Sequence, residues 1–253
     1  MKRLMYMLSA LCLSSLFAGE LEAYIARYDK PLAIEIYRQK LNDEESREES
    51  CRALARLYEE SGRNAAADTC YRALLSWHPG DTEIRRNYIG FLYGSGDYVR
   101  LRSVLKETPF DPEWSQSYRA RSYFREGLFD SSFALGTELA HLDDGKLMRL
   151  SREGLDLSLR SPVLGGLMSA VIPGSGKVYA GRWMDGLQAF SMIAAPAYNA
   201  YYHFSKNGAG SVRGWIWAAV GAWFYLSDIY GSVKAVNDYN AMQKNKVILK
   251  LVE

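Results

Sequence analysis

Between Glu20 and about Leu142, apolar residues recur three and four positions apart, which is the spacing of one face of an α-helix. Almost no stretch of this region alternates apolar and polar residues as a half-buried strand would. The segment 53–81 shows the pattern most clearly, with a helix, a turn at Gly62, a second helix and a stop at Pro79-Gly80. We therefore predict helices throughout the first half of the chain.

This helix–turn–helix pattern recurs at an interval of 34 residues. The matching pairs are Tyr24 with Tyr58, Ala33 with Ala67, Tyr37 with Tyr71, and Gly62 with Gly96. A third unit follows, with Gly127 in its turn. Recurrence at this length predicts a stack of helical hairpins, each of which buries its apolar stripe only against its neighbours.

The best of these units resembles the tetratricopeptide repeat family. The resemblance is carried by Leu54, Ala55, Tyr58, Gly62, Ala67, Tyr71 and Pro79. The other units are degenerate, since Leu101 and Ser132 stand where an alanine is usual. The resemblance implies a non-catalytic solenoid whose concave surface holds a partner protein or peptide. We expect the tyrosines to pack between the repeats.

Two later segments, 186–205 and 214–233, contain one charged residue between them, Asp228. Each is long enough to cross a bilayer as a helix, and tryptophans and tyrosines lie near their ends. The short linker between them predicts a transmembrane hairpin, although burial in a soluble core is an alternative. Small residues four apart, such as Ser191 and Ala195 or Ala218 and Ala222, favour close packing within the hairpin or between two copies of the chain.

The stretch from Ser169 to Gly186, "SAVIPGSGKVYAGRWMDG", invites comparison with a nucleotide-binding loop. A phosphate loop requires a glycine where Val171 stands and a serine or threonine where Val178 stands. Nucleotide binding is therefore excluded. The apolar segment 163–172 in front of the turn is too short to span a membrane, so we expect it to be interfacial or re-entrant.

The same turn resembles membrane hairpin domains of the TM-two type and their bacterial relatives. The signature comprises Pro173, Gly174, Gly176, Tyr179, Gly181, Arg182 and Gly186. Lys177 departs from the usual residue at its position. The resemblance implies a membrane domain of about residues 161–240 but no biochemical activity. A carboxylate inside a membrane is costly unless it is paired or hydrated, so we expect Asp228 to pair with Arg182 or Lys177, or else to lie near the interface.

The N-terminus has the composition of a secretory signal peptide: Lys2 and Arg3, an apolar stretch, and the small residues Ala18-Gly19. Cleavage and retention as an anchor both remain open. Export would leave two cysteines, Cys51 and Cys70, either bridged or buried as free thiols. The export signal places the repeats in the periplasm, although the lysines of the C-terminal tail favour the opposite orientation.

Charge is distributed unevenly along the chain. Residues 20–160 contain 25 acids and 21 bases, whereas residues 161–253 contain 4 acids and 8 bases. This distribution is typical of an acidic soluble domain followed by a membrane-associated one. No basic face with interleaved aromatics predicts nucleic-acid binding. The three histidines have no partners at metal-ligand spacing, and no nucleophile–base pair is recognisable, so we expect neither an enzyme nor a cofactor.

We therefore divide the chain into six segments. They are a signal peptide (1–19), a repeat domain (20–142), a linker helix (143–162), an interfacial or re-entrant segment with the glycine turn (163–182), a transmembrane hairpin (183–240) and a basic tail (241–253). The predicted function is a protein-binding adaptor of the bacterial inner membrane. The alternative is an oligomeric hairpin that forms a pore or assists membrane-protein assembly, with the repeats recruiting clients.

Overall fold

The computed structural model describes residue 27 and residues 29–106, 111–141 and 144–251. In these residues every regular element is a helix, which confirms the all-α prediction. The predicted signal peptide and Tyr24 lie outside the described residues. The helices form two compact units, of which the first ends at Ser122 and the second begins at Tyr123. The predicted end of the repeat domain is residue 142, so the boundary between the units lies earlier in the chain than predicted.

The first unit consists of helices in antiparallel pairs. Their bounds are α1 Lys30–Lys40, α2 Arg47–Glu60, α3 Asn64–Trp77, α4 Thr82–Ser95, α5 Tyr98–Lys106 and the larger part of α6 Pro112–Arg125. Two turns between helices contain glycines in the left-handed region, Gly62 at φ +68° and Gly96 at φ +83°. Asp81 caps α4, because its Oδ1 accepts from the amides of Glu83 at 2.8 Å and Ile84 at 3.1 Å.

The core of the first unit comes from the positions that carry the repeat pattern. Leu54, Ala55 and Ala67 are almost completely buried, and Tyr58 and Tyr71 are buried as well. The small side chains of Ala55 and Ala67 allow α2 and α3 to approach closely, while the tyrosine rings fill the space beside them. Pro79 is exposed and follows α3, where it prevents the helix from continuing.

Cys51 and Cys70 lie on α2 and α3 and are both buried free thiols. The Cys51 thiol points to the backbone of Cys70, whose carbonyl oxygen lies 3.5 Å from Cys51 Sγ. The hydrogen bond from Cys51 and burial both raise the pKa of Cys70. The two cysteines are therefore buried free thiols and do not form a disulfide.

In the part of the second unit that the structure describes, the end of α6 is followed by six further helices. Their bounds are α7 Phe129–Glu138, α8 Lys146–Leu155, α9 Pro162–Val171, α10 Ser175–Tyr179, α11 Trp183–Asn207 and α12 Val212–Leu249. Gly127 turns the chain before α7 with φ +72°. Buried hydroxyls of Ser132 and Ser151 join α7 to α8 at 2.9 Å. Most of the predicted basic tail is helical, since α12 continues to Leu249.

Segments 186–205 and 214–233 lie within the hairpin α11–α12. Gly214 packs against Phe204 and Gly221 against Pro196, so the two helices run antiparallel. The predicted packing of Ser191 and Ala195 within the hairpin is wrong, because both residues are exposed, whereas packing between two copies of the chain stays a prediction. The buried face instead presents Ala189, Ile193, Pro196 and Ala200. Across the described residues, no helix combines the length and the mean hydropathy that crossing a membrane requires.

Residues 162–182 run along α12 in one direction, reverse, and return along the same helix. On α9, Gly165 packs against Val236, and Ser169 bonds Ser232 four residues earlier on α12. The chain then reverses after Ile172, and α10 returns until Ala180 packs with Ala235 and Val236. We call α9, the reversal and α10 the elbow, residues 162–180.

Candidate functional site

A surface groove in the first unit is lined by the first helices of three successive pairs. Arg56 and Glu59 come from α2, Arg86, Asn87 and Phe91 from α4, and Trp114 and Tyr118 from α6, with Tyr71 of α3 at one side. We call this the aromatic groove. It has a volume of about 450 Å³. The groove is therefore built by residues from several helices of the first unit and not by a single loop.

Aromatic rings form the walls of the groove. The Trp114 and Tyr118 ring centroids are 4.5 Å apart, and Tyr71 stacks on Phe91 at 5.3 Å. Phe91 and Tyr71 are buried, whereas Trp114 and Tyr118 are half-buried and present part of each ring at the surface. Large rings held by neighbouring rings offer apolar contact area at little cost in side-chain entropy.

Charged groups stand at the mouth of the groove. Arg56 and Arg86 are exposed, and the Arg86 guanidinium lies 5.6 Å from the Trp114 ring centroid. Among the described residues, neither arginine forms an ion pair. Glu59 accepts a hydrogen bond from the Tyr71 hydroxyl at 3.3 Å. Burial and the Glu59 charge raise the pKa of Tyr71, so this hydroxyl remains a neutral donor at physiological pH.

The elbow is a second site, built on close backbone approaches. Gly174 has φ +84°, and a methyl group on it would meet the carbonyl oxygen of Gly186. A methyl group on Gly176 would meet the carbonyl oxygen of Gly165. Glycine is therefore required at both signature positions for steric reasons. Gly181 has φ +85° and turns the chain from α10 towards α11.

The reversal of the elbow surrounds a buried carboxylate. Asp228 is 3% exposed, and its Oδ2 accepts from the amide of Gly174 at 2.6 Å. Its Oδ1 makes no well-directed hydrogen bond but lies 2.9 Å from Lys177 Nζ. Of the two partners expected for Asp228, the structure selects Lys177. Arg182 is exposed and lies near Asp185 and Asp238 instead.

Hydroxyl groups extend this polar interior. Ser169 Oγ and Ser232 Oγ are 2.7 Å apart, and the amide of Gly176 donates to Ser169 at 3.0 Å. Both serines are fully buried. Tyr225 donates to the carbonyl oxygen of Ala170 at 2.6 Å. These bonds satisfy several polar groups of the reversal, although Ser175 Oγ is buried and makes no hydrogen bond among the described residues.

Contacts that we call the latch join the chain before α9, the end of α10 and α12. The Asn240 side chain accepts from the amide of Arg160 at 2.9 Å and donates to its carbonyl at 2.7 Å. The Arg160 guanidinium lies 3.9 Å from the Tyr239 ring centroid and donates to the carbonyl of Tyr179. The Tyr179 hydroxyl accepts from the amide of Ser161 at 3.3 Å. Tyr179 therefore packs and bonds at this latch.

The outer surface of the elbow and hairpin is apolar. Val171 on α9 is 81% exposed, and Trp223 on α12 is 73% exposed. Other exposed members are Val163, Leu167, Leu187, Phe190, Ile216, Leu226 and Tyr230. We call this the outer apolar surface. So many large exposed apolar groups, together with a buried ion pair and buried hydroxyl groups, depart from the usual arrangement of a water-soluble domain.

Sequence reasoning found the elbow glycines and Asp228 but missed several residues that complete both sites. Ser169 and Ser232 carry no sequence signal, because serines recur in the apolar segments without a pattern. Trp114 and Tyr118 lie in a degenerate repeat, which hid their alignment with Phe91. Their spacing of four on a helix was the available signal.

No family model, curated protein or solved structure matches this chain. The described residues contain no group of three or more metal-ligating side chains that could hold a metal ion.

Proposed function

We propose that this chain is a membrane-anchored, non-catalytic adaptor that holds a partner protein by an extended peptide in the aromatic groove. The observation that carries the proposal is the groove itself. The half-buried rings of Trp114 and Tyr118 on α6 line one groove with the buried rings of Tyr71 and Phe91, beside two arginines that form no ion pair among the described residues. Rings provide contact area, and the guanidinium groups favour a peptide with acidic side chains near its aromatic or aliphatic residues.

The outer apolar surface and the enclosed polar groups of the second unit support membrane anchoring. The Lys177–Asp228 pair and the Ser169–Ser232 pair are enclosed by the helices, whereas the outer apolar surface faces away from them. At 25 residues, α11 is about 37 Å long, which exceeds the roughly 30 Å of a hydrocarbon core. Inward polar groups and outward tryptophan and tyrosine rings both lower the mean hydropathy of these helices without placing a charge against lipid.

The elbow has a structural role in the proposed membrane domain. Asp228 precedes Asp238 by ten residues of one helix, or about 15 Å along the axis. The reversal would therefore lie well below a bilayer surface at the level of Arg182 and Asp238. We propose the inner membrane, with the repeats in the periplasm, because the N-terminal segment has the composition of an export signal and helical spans are typical of that membrane.

Peptide binding with matched variants tests the adaptor function. A random peptide library is selected on the purified full chain, and the affinity of an enriched peptide is measured by fluorescence polarisation. Trp114→Ala should weaken binding by about 2 kcal/mol or more, as expected for an aromatic hot spot. Trp77→Ala is the control, since Trp77 is 42% exposed on α3 and is not a groove residue. Equal affinities for the two variants would contradict the proposal.

A further inference from the structure

A surface pocket of the second unit lies beside the latch, between α12 and the chain that follows α10. Arg182 lines it from that chain, and Asp238 and Tyr239 line it from α12. The buried residues Ala180 and Ala235 make another part of its lining apolar. The pocket has a volume of about 350 Å³. It therefore combines charges of both signs with apolar surface.

Arg182 is held loosely at this pocket. Its Nε lies 3.3 Å from Asp185 Oδ2 and its Nη1 lies 3.7 Å from Asp238 Oδ2, and neither contact is a well-directed hydrogen bond. All three side chains are about half exposed. Ion pairs between exposed groups contribute little to stability, because water screens them. A ligand can therefore replace the contact between Arg182 and Asp238 if it gives both groups a new partner.

Two further groups favour an anion beside Arg182. Tyr239 is half-buried, and its hydroxyl makes no hydrogen bond among the described residues. The Arg160 guanidinium lies 3.9 Å from the Tyr239 ring centroid, and its Nη1 would be 3.6 Å from a methyl group on Gly181 of the pocket lining. Because Arg160 already donates to the carbonyl of Tyr179, it contributes mainly its charge. One hydroxyl donor and two positive charges therefore lie in or beside the pocket.

We propose that this pocket binds a phosphate ester that carries a primary ammonium group, which is the chemistry of an ethanolamine phospholipid headgroup. Arg182 and Tyr239 donate to the phosphate oxygens, and Asp238 accepts from the ammonium group. The two arginines and two aspartates at the pocket sum to zero charge, so a ligand with one charge of each sign leaves the site neutral. A headgroup with the phosphate charge alone would leave Asp238 without a partner once Arg182 binds the phosphate.

The pocket discriminates against a quaternary ammonium group. Such a group has no N–H donor for Asp238, and proteins bind it chiefly within cages of several aromatic rings. Among the described residues, Tyr239 is the only ring that lines the pocket, and Arg160 covers one of its faces. A primary ammonium group is therefore favoured over its trimethylated counterpart.

The position of the pocket favours a membrane lipid as the source of the headgroup. This step rests on the proposed membrane anchoring, in which Arg182 and Asp238 lie at the level of the bilayer surface. Trp183, Met184 and Leu187 follow on α11 and are exposed. Acyl chains can lie against these side chains while the headgroup occupies the pocket, whereas free phosphoethanolamine gains no such contact.

Titration of the purified full chain in mild detergent tests this site. The probes are dihexanoyl phosphatidylethanolamine, the phosphatidylcholine and phosphatidylglycerol with the same acyl chains, and free phosphoethanolamine, each followed by calorimetry. The ethanolamine lipid should bind about tenfold more tightly than the other two lipids, because only its ammonium group forms a charge-assisted hydrogen bond with Asp238.

Variants assign this preference to individual side chains. Arg182→Gln should weaken binding of the ethanolamine lipid about tenfold, and Asp238→Asn should abolish the preference over the glycerol lipid. Tyr239→Phe keeps the ring beside Arg160 and loses only the hydroxyl, so it should weaken binding about threefold. Arg213→Gln is the control and should change nothing, since Arg213 is exposed at the start of α12 and does not line the pocket.

The outcomes separate the ligand sources and the two proposals. Tighter binding of the ethanolamine lipid than of free phosphoethanolamine identifies a membrane lipid, and equal binding identifies the soluble compound. Equal affinity for the three lipids, or equal weakening by Arg213→Gln, would overturn the site. A chain that resists alkaline carbonate extraction from membranes but shows no headgroup preference refutes the pocket and leaves the anchoring intact. A chain that carbonate releases refutes the anchoring, whatever the pocket binds.

Discussion

The Lys177–Asp228 pair offers a quantitative test of the elbow. Asp228 is 3% exposed and the Lys177 side chain 21% exposed, so replacing the lysine leaves a buried carboxylate with one amide donor, from Gly174. Lys177→Met should therefore reduce the free energy of unfolding by about 3–5 kcal/mol. Asp228→Asn leaves a partly hydrated ammonium group and should cost about 1–2 kcal/mol.

The double variant distinguishes a direct pair from two independent effects. With both charges absent, no uncompensated ion remains, and the double variant should cost about 2 kcal/mol rather than the sum of the single losses. The corresponding coupling energy is at least about 2 kcal/mol. The assay is reversible unfolding in mixed SDS and mild-detergent micelles, followed by far-ultraviolet circular dichroism.

Arg182 provides the matched control for this cycle. It is 52% exposed and lies near Asp185 and Asp238 rather than Asp228. Losses from Arg182→Gln and Asp228→Asn should therefore add within about 0.5 kcal/mol. Additive losses for the Lys177 and Asp228 variants would refute the proposed stabilising role of the pair. Strong coupling of Asp228 to Arg182 would refute its assignment to Lys177.

Three further predictions concern backbone sterics, pH and thiols. Gly174→Ala should cost about 3 kcal/mol or more in the same unfolding assay, because it adds a clash to positive-φ strain. Gly96→Ala is the matched control and should cost about 1 kcal/mol, because Gly96 is left-handed at φ +83° with open space around it. Burial disfavours the Asp68 charge, but hydrogen bonds from Tyr88 and Arg100 outweigh it, so folding lowers the pKa of Asp68. This residue therefore contributes stability above about pH 4 that is lost as the pH falls through its folded pKa. Asp68→Asn should therefore lose less stability than the unchanged protein during acid titration. An unchanged dependence of stability on pH would contradict this. Cys51 and Cys70 should react with a thiol reagent only after denaturation, and rapid labelling of the folded protein would contradict their burial.

The regular part of the first unit could be predicted from sequence because each repeat position has one dominant requirement. Ala55 and Ala67 permit close helix packing, and Gly62 adopts a left-handed turn, so residue type alone reports their structural role. The groove could not be predicted in the same way. Trp114 and Tyr118 reach it only because α6 packs in register with α4, and register between helices depends on the three-dimensional packing of many side chains.

The second unit shows a similar division. Glycines at 174 and 176 were recognisable, since backbone approach allows no other residue. The partner of Asp228 was not, because Lys177 and Arg182 are both cations only five residues apart and the path of α10 determines which one reaches Asp228. The spacing of Ser191 and Ala195 was misleading for the same reason. Rotation of α11 about its axis places Ala189 and Ala200 inside instead.

The central claim is that lipid solvates the outer apolar surface while the elbow keeps its polar groups inside. Alkaline carbonate extraction of membranes from cells that express the untagged full chain tests it most directly, because carbonate removes proteins held only by peripheral contacts. The account predicts that the chain remains in the membrane pellet with an integral marker protein. Release of the chain into the supernatant with a peripheral marker would contradict it.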